Sequence, residues 1–231
     1  MIQEKDAIMP HGYGWETSSI QERRDLGEIQ KGDLIATIYD VSKPSGIGEL
    51  AVDAAAVIKA KQYVVAGDRL WNHLLTSAET YAHAIRKRSP DASIINAGGA
   101  RTTSMEVRKL VKEAKEHDWK NVATVAVGPH YERAALVAAK INRKRGIRKK
   151  GISIQVFRAE DVLSDPQTHG GGDEGERIAE TYKERFARMQ ATQPYRKLEK
   201  HEKKAIYIEK LHLTRVVDLA SWVVRPKVMS K

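Results

Sequence analysis

The feature that most constrains the fold of this chain is a regular alternation of short apolar runs with amphipathic helical segments. The runs are rich in β-branched residues, which is typical of buried parallel strands. Strands are predicted over residues 33–41, 63–68, 93–99, 121–128 and 151–163, and helices over 45–60, 74–88, 103–118 and 131–145. This order predicts right-handed crossovers. The expected fold class is therefore α/β, a Rossmann-like doubly wound parallel sheet of about five strands.

The segments on either side of this alternation differ from it. Residues 1–32 are polar and are interpreted as an N-terminal arm, irregular apart from a short helix around 19–26. Residues 164–176 form a breaker-rich loop, and helices alone are predicted beyond it, over 176–190, 198–213 and 216–224. We therefore expect a Rossmann-like domain over 33–163 and a C-terminal helical extension over 164–231 that packs on the sheet or on a partner chain.

The composition limits the classes of site and partner. The chain has no cysteine, which excludes disulfides, zinc–thiolate sites and cysteine nucleophiles. No apolar run approaches the ~20 residues that a membrane span needs, and the N-terminus does not have the pattern of a secretory signal. These observations predict a cytoplasmic protein. The formal net charge of +10 favours anionic partners such as nucleotides or nucleic acid.

Candidate binding residues lie in the loops after the predicted strands, because open parallel sheets bind ligands at the carboxyl ends of their strands. In GGARTTSME (98–106), Gly98 and Gly99 let the backbone approach a ligand, and Arg101 adds a positive charge. In GDRLWNH (67–73), Gly67 ends a strand and is followed by two polar candidates, Asp68 and Arg69. Asp68 either meets a ribose hydroxyl or caps the next helix.

The first turn of the helix after Gly99 carries further candidates. Thr102 or Thr103 can cap this helix, and Glu106 completes a pattern that resembles a capping box. The free amides at the start of the helix then attract an anion. A plain turn with good caps explains the same residues equally well.

A second candidate loop is GPHYER (128–133), where Gly128 ends a strand and a helix follows. His130 and Arg133 lie three residues apart and so share one helix face. His130 is a candidate hydrogen-bond donor or general acid–base near neutral pH, and Arg133 a candidate bidentate ligand for phosphate or carboxylate. The alternative is that Arg133 pairs with an acid such as Glu106 while His130 caps the helix.

The sequence lacks the local motifs that mark the common cofactor-binding and catalytic sites. The dinucleotide fingerprint, the phosphate-binding loop, HExxH and GxSxG are all absent. The histidines are scattered along the chain and show no close pair at the spacing of metal ligands, so no metal site is predicted. They are His11, His73, His83, His117, His130, His169, His201 and His212.

Residues 62–142 resemble the YdcF/SanA/ElyC-like family of bacterial proteins, long classed as a domain of unknown function. The resemblance rests on QYVVAGD (62–68), SIINAGGA (93–100) with Glu106 downstream, and VAVGPHYERA (125–134), which ends in the family's His-x-x-Arg-Ala pattern. Unlike the family, the chain has Ala97 where a serine is usual, and it has no segment of the type S-x-N-T-x-E-N.

The resemblance implies a Rossmann-like fold with a ligand site at the strand ends and a nucleotide-like or S-adenosylmethionine-like ligand. The residues that match the family's motif positions are Gly98, Gly99, Glu106, His130 and Arg133, with Gly67 a looser match. Because no membrane helix is evident in the sequence, the chain is similar to the soluble branch of the family.

Taken together, the sequence favours a protein that binds a small anionic or nucleotide-like molecule. Arg101 and Arg133 are expected to hold its negative group, His130 to donate a hydrogen bond or carry a proton, and Glu106 to orient Arg133 or contact the ligand. Hydrolysis or group transfer is favoured over redox chemistry, because the dinucleotide fingerprint is missing. In this interpretation the catalytic candidates are His130 and Glu106.

Two other classes of function stay open. The segment INRKRGIRKKG (141–151) holds six basic residues and no acid, so the chain is alternatively a nucleic-acid-binding protein. A solvated helix end explains the same segment. The third interpretation is an interaction protein, with a homodimer formed through the C-terminal helices around Tyr207, Leu211, Leu213 and Trp222.

Overall fold

The computed structural model describes residues 3–11, 46–67, 77–100, 102–191 and 193–211. Within them lies one five-stranded, entirely parallel sheet with the strand order β3-β2-β1-β4-β5. The strands are β1 (Lys5–His11), β2 (Ala60–Val65), β3 (Ile94–Asn96), β4 (Asn121–Ala126) and β5 (Ser153–Arg158). The predicted fold class is confirmed. The predicted strand over 33–41 lies outside the described residues.

Helices follow the strands and then continue alone to the end of the described chain. They are α1 (Gly46–Val57), α2 (Ser77–Arg88), α3 (Thr103–Glu116), α4 (Gly128–Asn142), α5 (Arg145–Lys149), α6 (Ala159–Leu163), α7 (Gly172–Ala191) and α8 (Gln193–Lys210), with a 3-10 turn over Pro166–His169. Among these described helices, none combines the length and the apolar character needed to cross a bilayer. The prediction of a strand over 151–163 was wrong at its end, where α6 begins at Ala159.

The central strand β1 is the largest correction to the sequence analysis. Residues Lys5–His11 were interpreted as part of an irregular arm, yet they pair with β2 on one side and with β4 on the other. Two features hid the strand: Pro10 cannot donate to the ladder, and two charged residues open the strand. Those charges are satisfied by tertiary partners, because Lys5 Nζ donates to Gln155 at 2.8 Å and Asp6 accepts from the backbone N–H of Asn121 at 2.9 Å.

Two hydrophobic clusters cover the two faces of the sheet. Alternate residues of β1 divide between them, with Ile8 in the first cluster and Ala7 and Met9 in the second. Side chains of α1, α2, α6, α7 and α8 complete the first cluster, and side chains of α3, α4 and α5 complete the second. This is the doubly wound arrangement expected from alternating strands and helices.

The strand order creates a switch point between β1 and β4. The chain moves outward from β1 through β2 to β3, and then returns through α3 to β4 on the opposite side of β1. The carboxyl ends of β1 and β4 are level, since His11 is in register with Ala126. A crevice at this position is where open α/β sheets bind their ligands.

A buried group of charges joins the C-terminal extension to the sheet domain. Arg88 of α2 donates to Glu49 of α1 at 3.0 Å and to Asp53, and Arg185 of α7 lies 3.6 Å from the Glu49 carboxylate. Burial raises the pKa of Glu49 to about 7, the neighbouring Asp53 adds to the rise, and Arg88 opposes it. The extension is therefore packed on the domain through ionic as well as apolar contacts.

Replacing Glu49 tests this group through the pH dependence of stability. Because the folded-state pKa of about 7 lies above the ordinary 4.5, folding favours the protonated form of Glu49. The contribution of Glu49 to stability is complete below pH 4.5 and is lost as the pH rises through the folded-state pKa of about 7. The free energy of unfolding of the wild type should therefore fall relative to that of Glu49→Gln by about 1 kcal/mol per pH unit across this window.

Chemical denaturation at several pH values measures the difference. Glu116→Gln is the control, because Glu116 is exposed on α3 and should leave the pH profile unchanged. Parallel profiles for wild type and Glu49→Gln would contradict the assignment.

Candidate functional site

Three elements bring functional side chains to the switch point between β1 and β4. His11 is the last residue of β1, and His130 lies in the first turn of α4, directly after β4. Glu106 lies in the first turn of α3. Thr102 caps α3 by accepting from the backbone N–H of Met105 at 3.2 Å, which confirms the predicted cap at this position.

A short contact at the site joins His11 to Glu106. His11 Nδ1 and Glu106 Oε2 lie 2.7 Å apart, while the His11 side chain is fully buried and that of Glu106 is 16% exposed. An ionised carboxylate only accepts hydrogen bonds, so Nδ1 of His11 is the donor. A neutral His11 ring then carries its lone pair on Nε2, and this buried nitrogen has no hydrogen-bond partner among the described residues.

His130 packs against this pair. The His11 and His130 rings meet edge to face with their centroids 5.7 Å apart, and His130 Nε2 lies 3.3 Å from the hydroxyl of Thr103. Burial holds the pKa of His130 well below its ordinary value of 6.5, and the charge of Arg133 lowers it further. His130 is therefore a neutral ring at neutral pH.

The C-terminal helix α8 supplies a fourth side chain, Glu202, which is buried behind His130. Glu202 Oε1 lies 3.4 Å from His130 Nδ1, and Glu202 Oε2 forms an ion pair with Arg133 Nε at 3.1 Å. Arg133 Nη2 is itself 3.2 Å from His130 Nδ1. Burial raises the pKa of Glu202 to about 7, against the opposing charge of Arg133.

Arg133 pairs with an acid, as one of the two predictions had it, but that acid is Glu202 and not Glu106. Its guanidinium also contacts His130. Glu106 pairs with His11 instead. Sequence reasoning had no signal for Glu202, because a single glutamate in a charged helix cannot be told from a solvated one.

His11, Glu106 and His130 together form a group that can hold a metal ion. One ligand atom from each residue lies within 4.8 Å of the other two. The sequence analysis predicted no metal site because it looked for histidines close together along the chain. These three residues come from three separate elements, so only the strand order brings them together.

The remaining glycine and hydroxyl candidates lie along the same edge. Gly67 donates its backbone N–H to the carbonyl of Gly98 at 3.2 Å, and Gly98 has a φ of +80°. Gly99 is exposed beside them, and Thr103 is buried against His130. The candidates Asp68, Arg69 and Arg101 lie outside the described residues.

Gly128 was predicted to bind the ligand, but its open side is filled by protein. A Cβ at this position would collide with the hydroxyl of Tyr195 and would lie 2.7 Å from Glu160 Oε1. The φ of Gly128 is also positive, at +29°. In this structure Gly128 therefore makes room for α8 at the start of α4.

A pair of glycine substitutions tests this packing role. Gly128→Ala should destabilise the protein by about 1–3 kcal/mol, because the added methyl group overlaps Tyr195. Gly146→Ala is the matched control, since a Cβ there meets no atom of the described residues within 4 Å and the stability of this variant should change by less than about 1 kcal/mol. Tyr195→Phe should restore part of the loss when combined with Gly128→Ala. Thermal denaturation that shows equal midpoints for the two alanine variants would contradict the packing role.

Comparison with protein-family models, curated proteins and solved structures gives no match for this chain. The resemblance to the YdcF/SanA/ElyC-like family therefore stays a prediction. Function has to be inferred from the geometry at the switch point.

Proposed function

We propose that this protein binds a small anionic, nucleotide-like molecule at the carboxyl ends of β1 and β4 and acts on it by hydrolysis or group transfer. The observation that carries the proposal is the buried pair of His11 and Glu106, in which His11 Nε2 finds no hydrogen-bond partner within the part of the chain that the structure describes. Buried polar atoms are nearly always hydrogen-bonded, and an exception calls for an explanation, of which a catalytic role is one.

The surroundings of the pair support an anionic ligand. The helices α3 and α4 both begin at this edge of the sheet, and the positive ends of their dipoles favour negative charge there. The N-cap residue of α4, Val127, gives no side-chain cap to its first turn, and the hydroxyls of Thr102 and Thr103 lie at the start of α3. A ligand that carries a phosphate or carboxylate group fits this setting.

The pair also supports the reaction class. Nε2 of His11 takes a proton from a water molecule or a substrate hydroxyl, and the oxygen then attacks the electrophilic centre of the ligand. Glu106 stabilises the imidazolium that forms, and the leaving group departs with the proton that His11 returns. Hydride transfer receives no support from the described residues.

A thermal-shift panel tests the proposal. Nucleotides, S-adenosylmethionine and sugar phosphates are each added to the wild type, to His11→Asn and to His83→Asn. A true ligand at 100 times its dissociation constant should stabilise the wild type by about 2.7 kcal/mol. The shift should disappear in His11→Asn and persist in His83→Asn, because His83 is exposed on α2.

The same samples are then assayed for turnover of the molecule that binds. A panel with no effect on the wild type, or one whose effect survives in His11→Asn, would contradict the proposed site.

The segment 141–151 supports a second candidate function, nucleic-acid binding. All six of its cations are exposed: Arg143, Lys144, Arg145, Arg148, Lys149 and Lys150. The segment follows the 15-residue helix α4, which carries the chain about 22 Å away from its start at the strand ends. A phosphate backbone bound there would therefore be separate from the His11 site.

Salt dependence tests this candidate. The affinity for a fluorescent single-stranded RNA should fall with a log–log slope of about −0.7 for each phosphate contact. Replacing Arg148, Lys149 and Lys150 by glutamine should make this slope shallower, whereas glutamine at Lys183 and Lys203, exposed cations of α7 and α8, should not. Equal slopes for both variants would exclude the segment as the binding surface.

A further inference from the structure

We propose that His11, Glu106 and His130 bind a divalent transition-metal ion, of which Zn²⁺ is the best match. The inference deepens the proposed function. It rests on the proposed function only for the identity of the small molecule that would bind beside the ion. It assigns to the switch point a chemistry that the spacing of residues along the sequence did not indicate.

The ligand set suits such an ion. Two imidazoles and one carboxylate are typical of catalytic zinc and of other borderline divalent metals, and they leave further coordination positions open for water or substrate. Ligand atoms about 2.1 Å from a tetrahedral ion lie about 3.4 Å from one another. The three atoms already lie within 4.8 Å, so side-chain movements of about 1 Å bring them to that separation.

The unpartnered nitrogen of His11 is the second observation. His11 is fully buried, its Nδ1 is engaged by Glu106, and its Nε2 has no partner among the described residues. A buried imidazole lone pair without a donor is costly in a folded protein. The Glu106 oxygen lies on the Nδ1 side of the ring, so an ion bound by both residues takes the place of the Nδ1 proton, and the ring proton moves to Nε2.

The surroundings of His130 supply the support that metal-binding histidines have. Such histidines hold their other ring nitrogen against a carboxylate, a carbonyl or water, which sets the tautomer. Glu202 Oε1 lies 3.4 Å and Arg133 Nη2 lies 3.2 Å from His130 Nδ1, so a metal on Nε2 requires that Nδ1 donates to Glu202 rather than accepts from Arg133.

An ion also resolves a conflict of charge at the site. Glu106 carries its carboxylate into the edge of the sheet where the helix termini favour an anionic ligand, and two negative groups repel each other. A divalent cation between them makes both favourable. Such an ion would lower the pKa of a water molecule bound to it, so that a base at His11 would not be needed to form the nucleophile.

Calorimetry on the full chain without an affinity tag tests the inference. The protein is treated with a chelator, dialysed and titrated with Zn²⁺. One ion per chain is expected, and Glu106→Gln should weaken binding at least 10-fold, on the scale seen when zinc sites lose a supporting group. The matched controls are His83→Asn and Glu116→Gln, whose side chains are exposed and lie outside the site.

A spectroscopic titration of the wild type keeps the inference testable if Glu106→Gln fails to fold. Co²⁺ bound to the wild type by nitrogen and oxygen ligands should give visible absorption, which an equimolar amount of Zn²⁺ should abolish. Wild-type protein that binds neither ion at one equivalent would overturn the inference. So would binding that is unchanged in a folded Glu106→Gln, because the ion would then lie elsewhere.

The experiments distinguish failure of the metal inference from failure of the proposed function. If the chelated protein still binds and turns over a molecule of the panel with no metal bound, the metal inference fails and His11 acts as the base. If one Zn²⁺ binds through Glu106 but no molecule of the panel binds the zinc form, the metal site stands and the proposed function fails.

Discussion

The hydrogen bond between His11 Nδ1 and Glu106 Oε2 is the contact on which the functional interpretation of this structure depends. It joins the end of the central strand β1 to the first turn of α3, two elements that lie far apart along the chain. The contact exists because the strand order places β1 beside β4 and returns α3 across the sheet between them. A shift of β1 by one residue would turn His11 to the other face and remove the site.

The C-terminal extension is part of this site as well as a support for the fold. Glu202 of α8 is buried against His130 and Arg133, and Tyr195 fills the space that Gly128 leaves open. Removing one partner from such a buried ionic group is costly, because the other charge is left uncompensated. The position of α8 and the orientation of His130 are therefore coupled, so an account of His130 has to include a helix about 70 residues further along the chain.

Much of the fold was predictable from the sequence, because alternating strands and helices leave a periodic pattern of apolar residues. Four of the five strands and the helices α1 to α4 follow that pattern within a few residues. The strand β1 did not, because Pro10 and Lys5 are unusual in a central strand and their compatibility depends on tertiary partners. Missing β1 also misplaced the start of the domain and removed His11 from the candidates.

The site was predictable only where local turn chemistry marks it. Glu106 and His130 follow glycine-containing turns at the starts of helices, and both were identified from the sequence. His11 and Glu202 carry no such mark, since their importance arises from strand order and from the packing of α8. Arg133 was identified as well, but its ion pair with Glu202 is a tertiary property that spacing cannot indicate.

The most direct test of this account is to locate the proton on the His11 ring by ¹⁵N NMR of the imidazole nitrogens in the metal-free chain. The geometry predicts a proton on Nδ1, facing Glu106, and the proposed role of His11 as a base requires the lone pair on Nε2. The signals should change when Glu106 is replaced by glutamine and should stay unchanged in the Glu116→Gln protein. A ring that carries its only proton on Nε2, or one that does not respond to the loss of the Glu106 carboxylate, would contradict the account.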